Sequence, residues 1–220
     1  MAAKTDNFQS PDYFNVDELL TDEHKLIRET VRNYVKKEIS PIIEDYAQRA
    51  EFPQQIVKQM GELGCFGPTV PEQYGGGGLD YGNEEQRNKY LPKLASGEWL
   101  GCFGLTEPNH GSDPSGMLTT IKDAGDHVLL NGAKMWISNA PFSQVAVVWA
   151  KDEAGEIKGV IVERGMEGFS TPTTHGKWSL RASATGELVF DNVKVPKENI
   201  LPNVKGLKGP LGCLTKARYG

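Results

Sequence analysis

Apolar positions in the first hundred residues recur at helical spacing. Leu26/Ile27, Thr30/Val31 and Tyr34/Val35 share one face, Thr21 stands where an N-cap belongs, and Asp22 and Glu23 fall in the first turn, so the pattern predicts an amphipathic helix with one side built for burial. Ser40-Pro41 reads as a second start, a cap followed by proline at the first helical position, with Ile42, Ile43, Tyr46 and Ala47 extending the apolar side. Phe52-Pro53 opens a third helix through Ile56, Met60 and Leu63, closed by Gly64. Asn83-Glu84-Glu85-Gln86 is a capping box that starts a fourth, through Tyr90, Leu91 and Leu94 to Gly97. The charged residues between these positions form a solvated face.

From Trp99 onward the period shortens to two. Cys102, Phe103 and Leu105 read as a short buried strand running into a turn at Pro108, Asn109, Gly111, Ser112 and Asp113. Further strands are expected over Met117–Lys122 and Val128–Ser138 around an Ala124-Gly125-Asp126 turn, over Val145–Ala150 and Val160–Glu163 across Glu153-Ala154-Gly155, and over Leu188–Val195. The expected fold class is α+β and multidomain: an N-terminal helical domain over residues 1–98, a mostly antiparallel β-domain over 99–205, and the start of a further helical domain over 206–220.

Composition narrows the function classes. At 220 residues, 38% hydrophobic and 24% charged, the chain is an ordinary globular protein, and its net charge of −5 with scattered Lys and Arg argues against nucleic acid as a partner. Cys65, Cys102 and Cys213 are odd in number, lack metal-ligand spacing and sit among apolar residues, which points to reduced core thiols rather than a disulfide framework or a metal site. The first residues carry no apolar signal region, and Asp12, Asp17 and Glu18 come too early for an acid-poor transit peptide, so the cytoplasm is the expected location; no stretch is long enough to span a bilayer. Gly75-Gly76-Gly77-Gly78 is better read as a flexible turn than as a phosphate loop, because no Lys-Ser/Thr follows and no GxGxxG pattern is present.

Two stretches carry candidate chemistry. In Gly101 to Asp113 a strand gives way to a glycine-serine turn at Thr106, where backbone N–H groups turned outward can cradle an anion and a hydroxyl can meet a flat, polar-edged ligand. An ordinary strand and loop fits the same residues. In Lys134-Met-Trp-Ile-Ser-Asn139 a large aromatic plane precedes a hydroxyl by two residues on one strand face. A core Trp beside a surface Ser is the plainer reading.

Phe103-Gly-Leu-Thr-Glu-Pro-Asn-His-Gly-Ser-Asp113, Lys134-Met-Trp-Ile-Ser138, Leu180-Arg-Ala-Ser-Ala-Thr-Gly186 and Gly209-Pro-Leu-Gly-Cys-Leu-Thr-Lys-Ala-Arg-Tyr-Gly220 together resemble the acyl-CoA dehydrogenase family, and within it the glutaryl-CoA dehydrogenases most of all. The resemblance runs through nearly the whole chain in the right order. It implies FAD as cofactor, an acyl-CoA thioester as substrate, an electron-transfer flavoprotein as partner and a homotetramer in the full-length form. It also implies that Phe103, Leu105, Thr106, Gly111 and Ser112 line the cofactor, that Trp136, Ile137 and Ser138 cover its ring, and that Ser112 also faces the thioester. Such residues suit a flavin, whose apolar plane packs on Trp136 while donors at Leu105, Thr106 and Ser138 meet the edge that gains negative charge on reduction.

Two departures qualify this. The family continues past Arg218-Tyr219-Gly220 into a helical bundle that carries the glutamate removing the substrate's α-proton. It also usually has two further helices between Gly78-Leu-Asp-Tyr81 and Gly82-Asn-Glu-Glu85. Glu107, Glu163 and Glu187 have no motif that promotes them to that role, so no catalytic base is assigned. A retained part of a longer enzyme and a shortened scaffold that binds partners both fit. An acyl-CoA oxidase shares the same motifs. The 220-residue chain alone is expected not to turn over acyl-CoA and to hold flavin weakly.

Overall fold

A computed structural model describes residues 13–66 and 81–219. Gly75 to Gly78 lie outside the described residues. The chain divides into two compact units, residues 1–42 and 43–220.

In the first unit, α1 spans Asp22–Tyr34. Thr21 caps it as expected: its hydroxyl accepts the His24 N–H at 3.2 Å, and His24 Nδ1 accepts the Thr21 N–H in return. The apolar face is open, however, with Leu26 65% and Ile27 56% exposed. A one-turn π-helix at Val35–Ile39 follows, from the last periodic position read from sequence to the start read at Ser40-Pro41.

The second unit begins with α2, Ile43–Arg49, and α3, Gln55–Glu62. Both start two residues after the proline that was expected to open them, so Pro41 and Pro53 stand in the approach and not in the first turn. Then α4, Glu84–Ala95, starts at the reciprocal cap of Asn83 and Gln86. The buried Gln86 and Tyr90 fix α4 to the β-domain: Gln86 Nε2 donates to the carbonyls of Glu198 and Ile200, and the Tyr90 hydroxyl donates to Glu163 at 2.7 Å. Burial, then the neighbouring Glu163 carboxylate, push the Tyr90 hydroxyl up to about 12, so it stays a donor at any physiological pH.

The β-domain is a seven-stranded sheet. Its strands are β1 Gly101–Gly104, β2 Thr120–Asp123, β3 His127–Ser138, β4 Val145–Lys151, β5 Ile157–Glu163, β6 Phe169–Ser170 and β7 Thr185–Pro196, ordered β1-β4-β2-β3-β7-β6 with β5 on the other edge of β4. Pairing is antiparallel except where β4 runs parallel to β1 and meets β2. One core cluster lies on the face of Leu130, Ile137, Val148, Val160, Leu188 and Val193. A second, around Tyr90, Leu105, Met117, Trp149 and Leu201, also takes residues of α5, Lys208–Tyr219.

The strands depart from the expected ones, with β5 and β7 each starting three residues earlier. The strand foreseen from Met117 starts only at Thr120, because the Leu118 and Thr119 N–H groups bond the Glu107 carboxylate and not a neighbouring strand. The short β6 carried no alternating pattern that would reveal it.

Candidate functional site

The long antiparallel β3–β7 pair slips register twice, and the second slip builds the candidate site. Lys134 pairs with Leu188 and Ile137 with Gly186, so three steps along β3 are matched to two along β7. The extra residue is Trp136. Its φ is 62°, a left-handed backbone that is costly for a side chain of this size. Lys134 and Ile137, three apart, both point inward, which strict alternation forbids and a bulge permits. Trp136 is thereby turned out, 57% exposed, and the exposed Ser138 follows it. This excludes a core Trp.

At the bulge the Met135 N–H donates to the Thr106 carbonyl at 2.9 Å, bringing the end of the β1 segment to the foot of Trp136. Thr106 is half-buried, whereas Leu105 is buried in the second cluster. After Thr106 the chain closes a tight turn in which Glu107 and His110 exchange backbone hydrogen bonds at 3.2 Å, and Gly111 and Ser112 stand exposed beyond it. Nothing lies within 4 Å of where a Cβ on Gly111 would be, so that turn is open to a ligand.

Three of the motif residues therefore present side chains outward: Trp136, Ser138 and Ser112. Phe103 and Ile137 do not. The Phe103 ring packs on Trp149 with centroids 6.3 Å apart, and Ile137 is 3% exposed in the first cluster, so what these two and Leu105 offer a ligand at this face is backbone.

A buried ion pair lies beneath this face, and the sequence reading passed over it. Lys134 is fully buried, and its Nζ donates to Glu107 Oε1 at 2.8 Å and to the Leu105 carbonyl at 3.2 Å. Burial would raise the Glu107 carboxyl, but the Leu118 N–H, the Lys134 ammonium and the Thr119 donors outweigh it and hold it at about 2. Burial pushes Lys134 down, with Glu107 as the opposing influence. Glu107 is thus a bound carboxylate facing the interior. Glu163 is held by Lys89 and Tyr90, each at 2.7 Å, so neither acid is disposed to act at the Trp136 face.

A hollow of about 320 Å³ opens between Phe52, stacked on Phe142 at 5.9 Å, and the 173–185 segment. Its two cationic side chains are engaged with backbone oxygens: Lys177 with Leu180 and Ser183, Arg181 with Ala47 and Gln48. Cys102 faces the first cluster, where burial pushes its thiol up to about 11 and makes it unreactive. Among the described residues no group of three His, Cys, Asp or Glu side chains could hold a metal ion, and no helix is long and apolar enough to cross a membrane.

Comparison with known proteins agrees with this architecture. Residues 21–81 match the acyl-CoA dehydrogenase N-terminal domain and residues 102–193 the acyl-CoA dehydrogenase middle domain. A glutaryl-CoA dehydrogenase of Desulfococcus multivorans is 40% identical over 225 residues, covering 83% of this chain and 58% of the relative. Because 83% of 220 residues is fewer than 225, that relative carries internal residues the chain lacks. A glutaryl-CoA dehydrogenase from Mycobacterium smegmatis, solved with FADH2, superimposes with a TM-score of 0.88 at 38% identity, covering 94% of this chain and 62% of its own. An acyl-CoA dehydrogenase from Bacillus anthracis, solved with FAD, gives 0.83 at 35% identity, covering 92% of this chain and 41% of its own. The chain spans from four-tenths to just over six-tenths of the length of these relatives. With both of its characteristic domains matched in order and its fold superimposed on solved members, the chain belongs to the acyl-CoA dehydrogenase family.

Proposed function

We propose that this chain supplies the flavin-facing β-domain of an FAD-dependent acyl-CoA dehydrogenase. The observation that carries the reading is Trp136, a large apolar plane held out of its strand by a left-handed bulge and joined through Met135 to Thr106. The residues fit a flavin: Trp136 would pack against the ring, the Thr106 and Ser138 hydroxyls and the Leu105 amide would meet its edge, and Phe103 and Ile137 would line it with backbone. Gly111 and Ser112 take the pyrophosphate, with Ser112 also toward the thioester. These residues would hold FAD, which would supply the acceptor for a hydride from the β-carbon of the acyl group, the α-proton passing to a base.

No base is assigned to the described residues. Glutaryl-CoA, with decarboxylation to crotonyl-CoA, is the substrate suggested by the relatives at about 40% identity. An electron-transfer flavoprotein as acceptor, a homotetramer and a cytoplasmic location complete the proposal. The test is an equilibrium titration of the chain with FAD, read by the change in flavin absorbance and fluorescence. Trp136→Ala is expected to lose FAD by about tenfold in affinity, since a flat apolar contact is worth on the order of 1–2 kcal/mol. FAD affinity equal to the parent protein would remove Trp136 from the site.

A further inference from the structure

The Glu107–Lys134 pair joins three segments that are distant in sequence. Through Lys134 it holds β3 at the residue before the slip, through the Leu105 carbonyl it holds the end of the β1 segment, and through the Leu118 and Thr119 N–H groups it holds the approach to β2. The surroundings make room for it. A Cβ on Gly104 would come within 3.2 Å of the Lys134 Cγ and 2.8 Å of Leu188, and one on Gly132 within 2.7 Å of the Thr119 backbone.

Stability alone is a poor reason for such a pair. Taking two charges out of water costs several kcal/mol per ion, and well-packed apolar residues of the same volume serve a core as well or better. An ion pair adds direction. An apolar side chain at position 134 would be satisfied by any inward orientation, and a one-residue slip of β3 would exchange its inward and outward sets. An ammonium that must reach Glu107 and the Leu105 carbonyl admits one register.

We propose that the Glu107–Lys134 pair is a positioning device for the face formed by Thr106 and Trp136: it fixes the point at which β3 takes in its extra residue, and so fixes where the indole stands. The geometry in this inference does not depend on the flavin reading. Only what the positioned face binds rests on it.

Lys134→Met tests this, since Met keeps an unbranched stem and removes the charge. Protein labelled with 5-fluorotryptophan gives one ¹⁹F resonance for each of the four Trp residues, assigned through single Trp→Phe variants. In Lys134→Met the Trp136 resonance is expected to shift or broaden while those of Trp99 and Trp178 stay in place. A Trp136 resonance at the parent position would assign the pair to packing and overturn the proposal.

If all four resonances collapse together, Glu107→Gln carries the same test: a selective Trp136 shift supports the proposal, and no shift or a second collapse overturns it. Where both single variants fold, the double variant is expected to move Trp136 no further than either alone, because the two residues act as one unit; additive displacements would contradict that. FAD titration of the same samples separates the two readings, with Lys134→Met expected to bind about tenfold more weakly than the parent. A parent that takes up no FAD, with Trp136 still displaced in Lys134→Met, would end the flavin reading and leave the positioning inference standing.

Discussion

Trp136 keeps a backbone conformation that costs a residue with a Cβ about 1–2 kcal/mol, and it does so because both flanking inward positions are committed to the interior. Trp136→Gly relieves the strain while giving up a partly exposed indole, so by equilibrium denaturation it is expected to change stability by less than about 1 kcal/mol. FAD binding should nevertheless weaken about tenfold, as in Trp136→Ala. A large destabilisation would mean that the indole is structural. At the flavin edge, Thr106→Ala and Ser138→Ala in a full-length, flavin-loaded form are each expected to slow flavin reduction about tenfold or more, the scale of losing one donor at a developing charge. Stopped-flow rates unchanged in both would remove these hydroxyls.

Glu107 also makes stability depend on pH. Its carboxyl falls from 4.5 to about 2 on folding, so it contributes stability that is fully present above about pH 4.5 and lost as pH falls toward 2. Thermal melts between those limits are expected to fall more steeply for the parent than for Glu107→Gln, and parallel slopes would contradict the depressed value. Glu107 and Lys134 stand near each other in no sequence pattern, and nothing marks a Lys between Ala133 and Met135 as inward. The pair was therefore not legible, whereas Trp136, Thr106 and Ser138 could be singled out from their motifs, though not the left-handed bulge that turns the indole outward.

At the scale of elements, the caps read from sequence appear in the structure because they are local: Thr21 with His24, and Asn83 with Gln86, each close within one turn. Gln86 does more than cap, since its amide also holds the carbonyls of Glu198 and Ile200. Asn83→Ala is accordingly expected to cost about 1 kcal/mol and Gln86→Ala measurably more, read by denaturant unfolding. Equal losses would show that α4 is docked by its apolar face alone. What escaped the sequence was non-local: the late start of β2, decided by a carboxylate more than ten residues away, and the two register slips of the β3–β7 pair, decided by which residues meet across strands. Alternation locates strands well but does not show where a strand stops alternating.

Across the whole molecule the order of helical segment and β-domain was legible from periodicity, and the family from four motifs in sequence order. The open face of α1, with Leu26 and Ile27 more than half exposed, is expected to make the chain self-associate with rising concentration. Sedimentation should show this, with Leu26→Glu/Ile27→Glu shifting the chain toward monomer; a parent monomeric at all concentrations would contradict it. The central claim is that the Trp136 face binds a flavin ring, and the most direct measurement is a titration of 5-fluorotryptophan-labelled chain with millimolar FAD. Trp178, 99% exposed, serves as the control for unspecific stacking. A saturable shift of the Trp136 resonance with Trp178 unmoved is expected; a Trp136 resonance that stays in place, or one that moves no more than Trp178, would rule out flavin binding at this face.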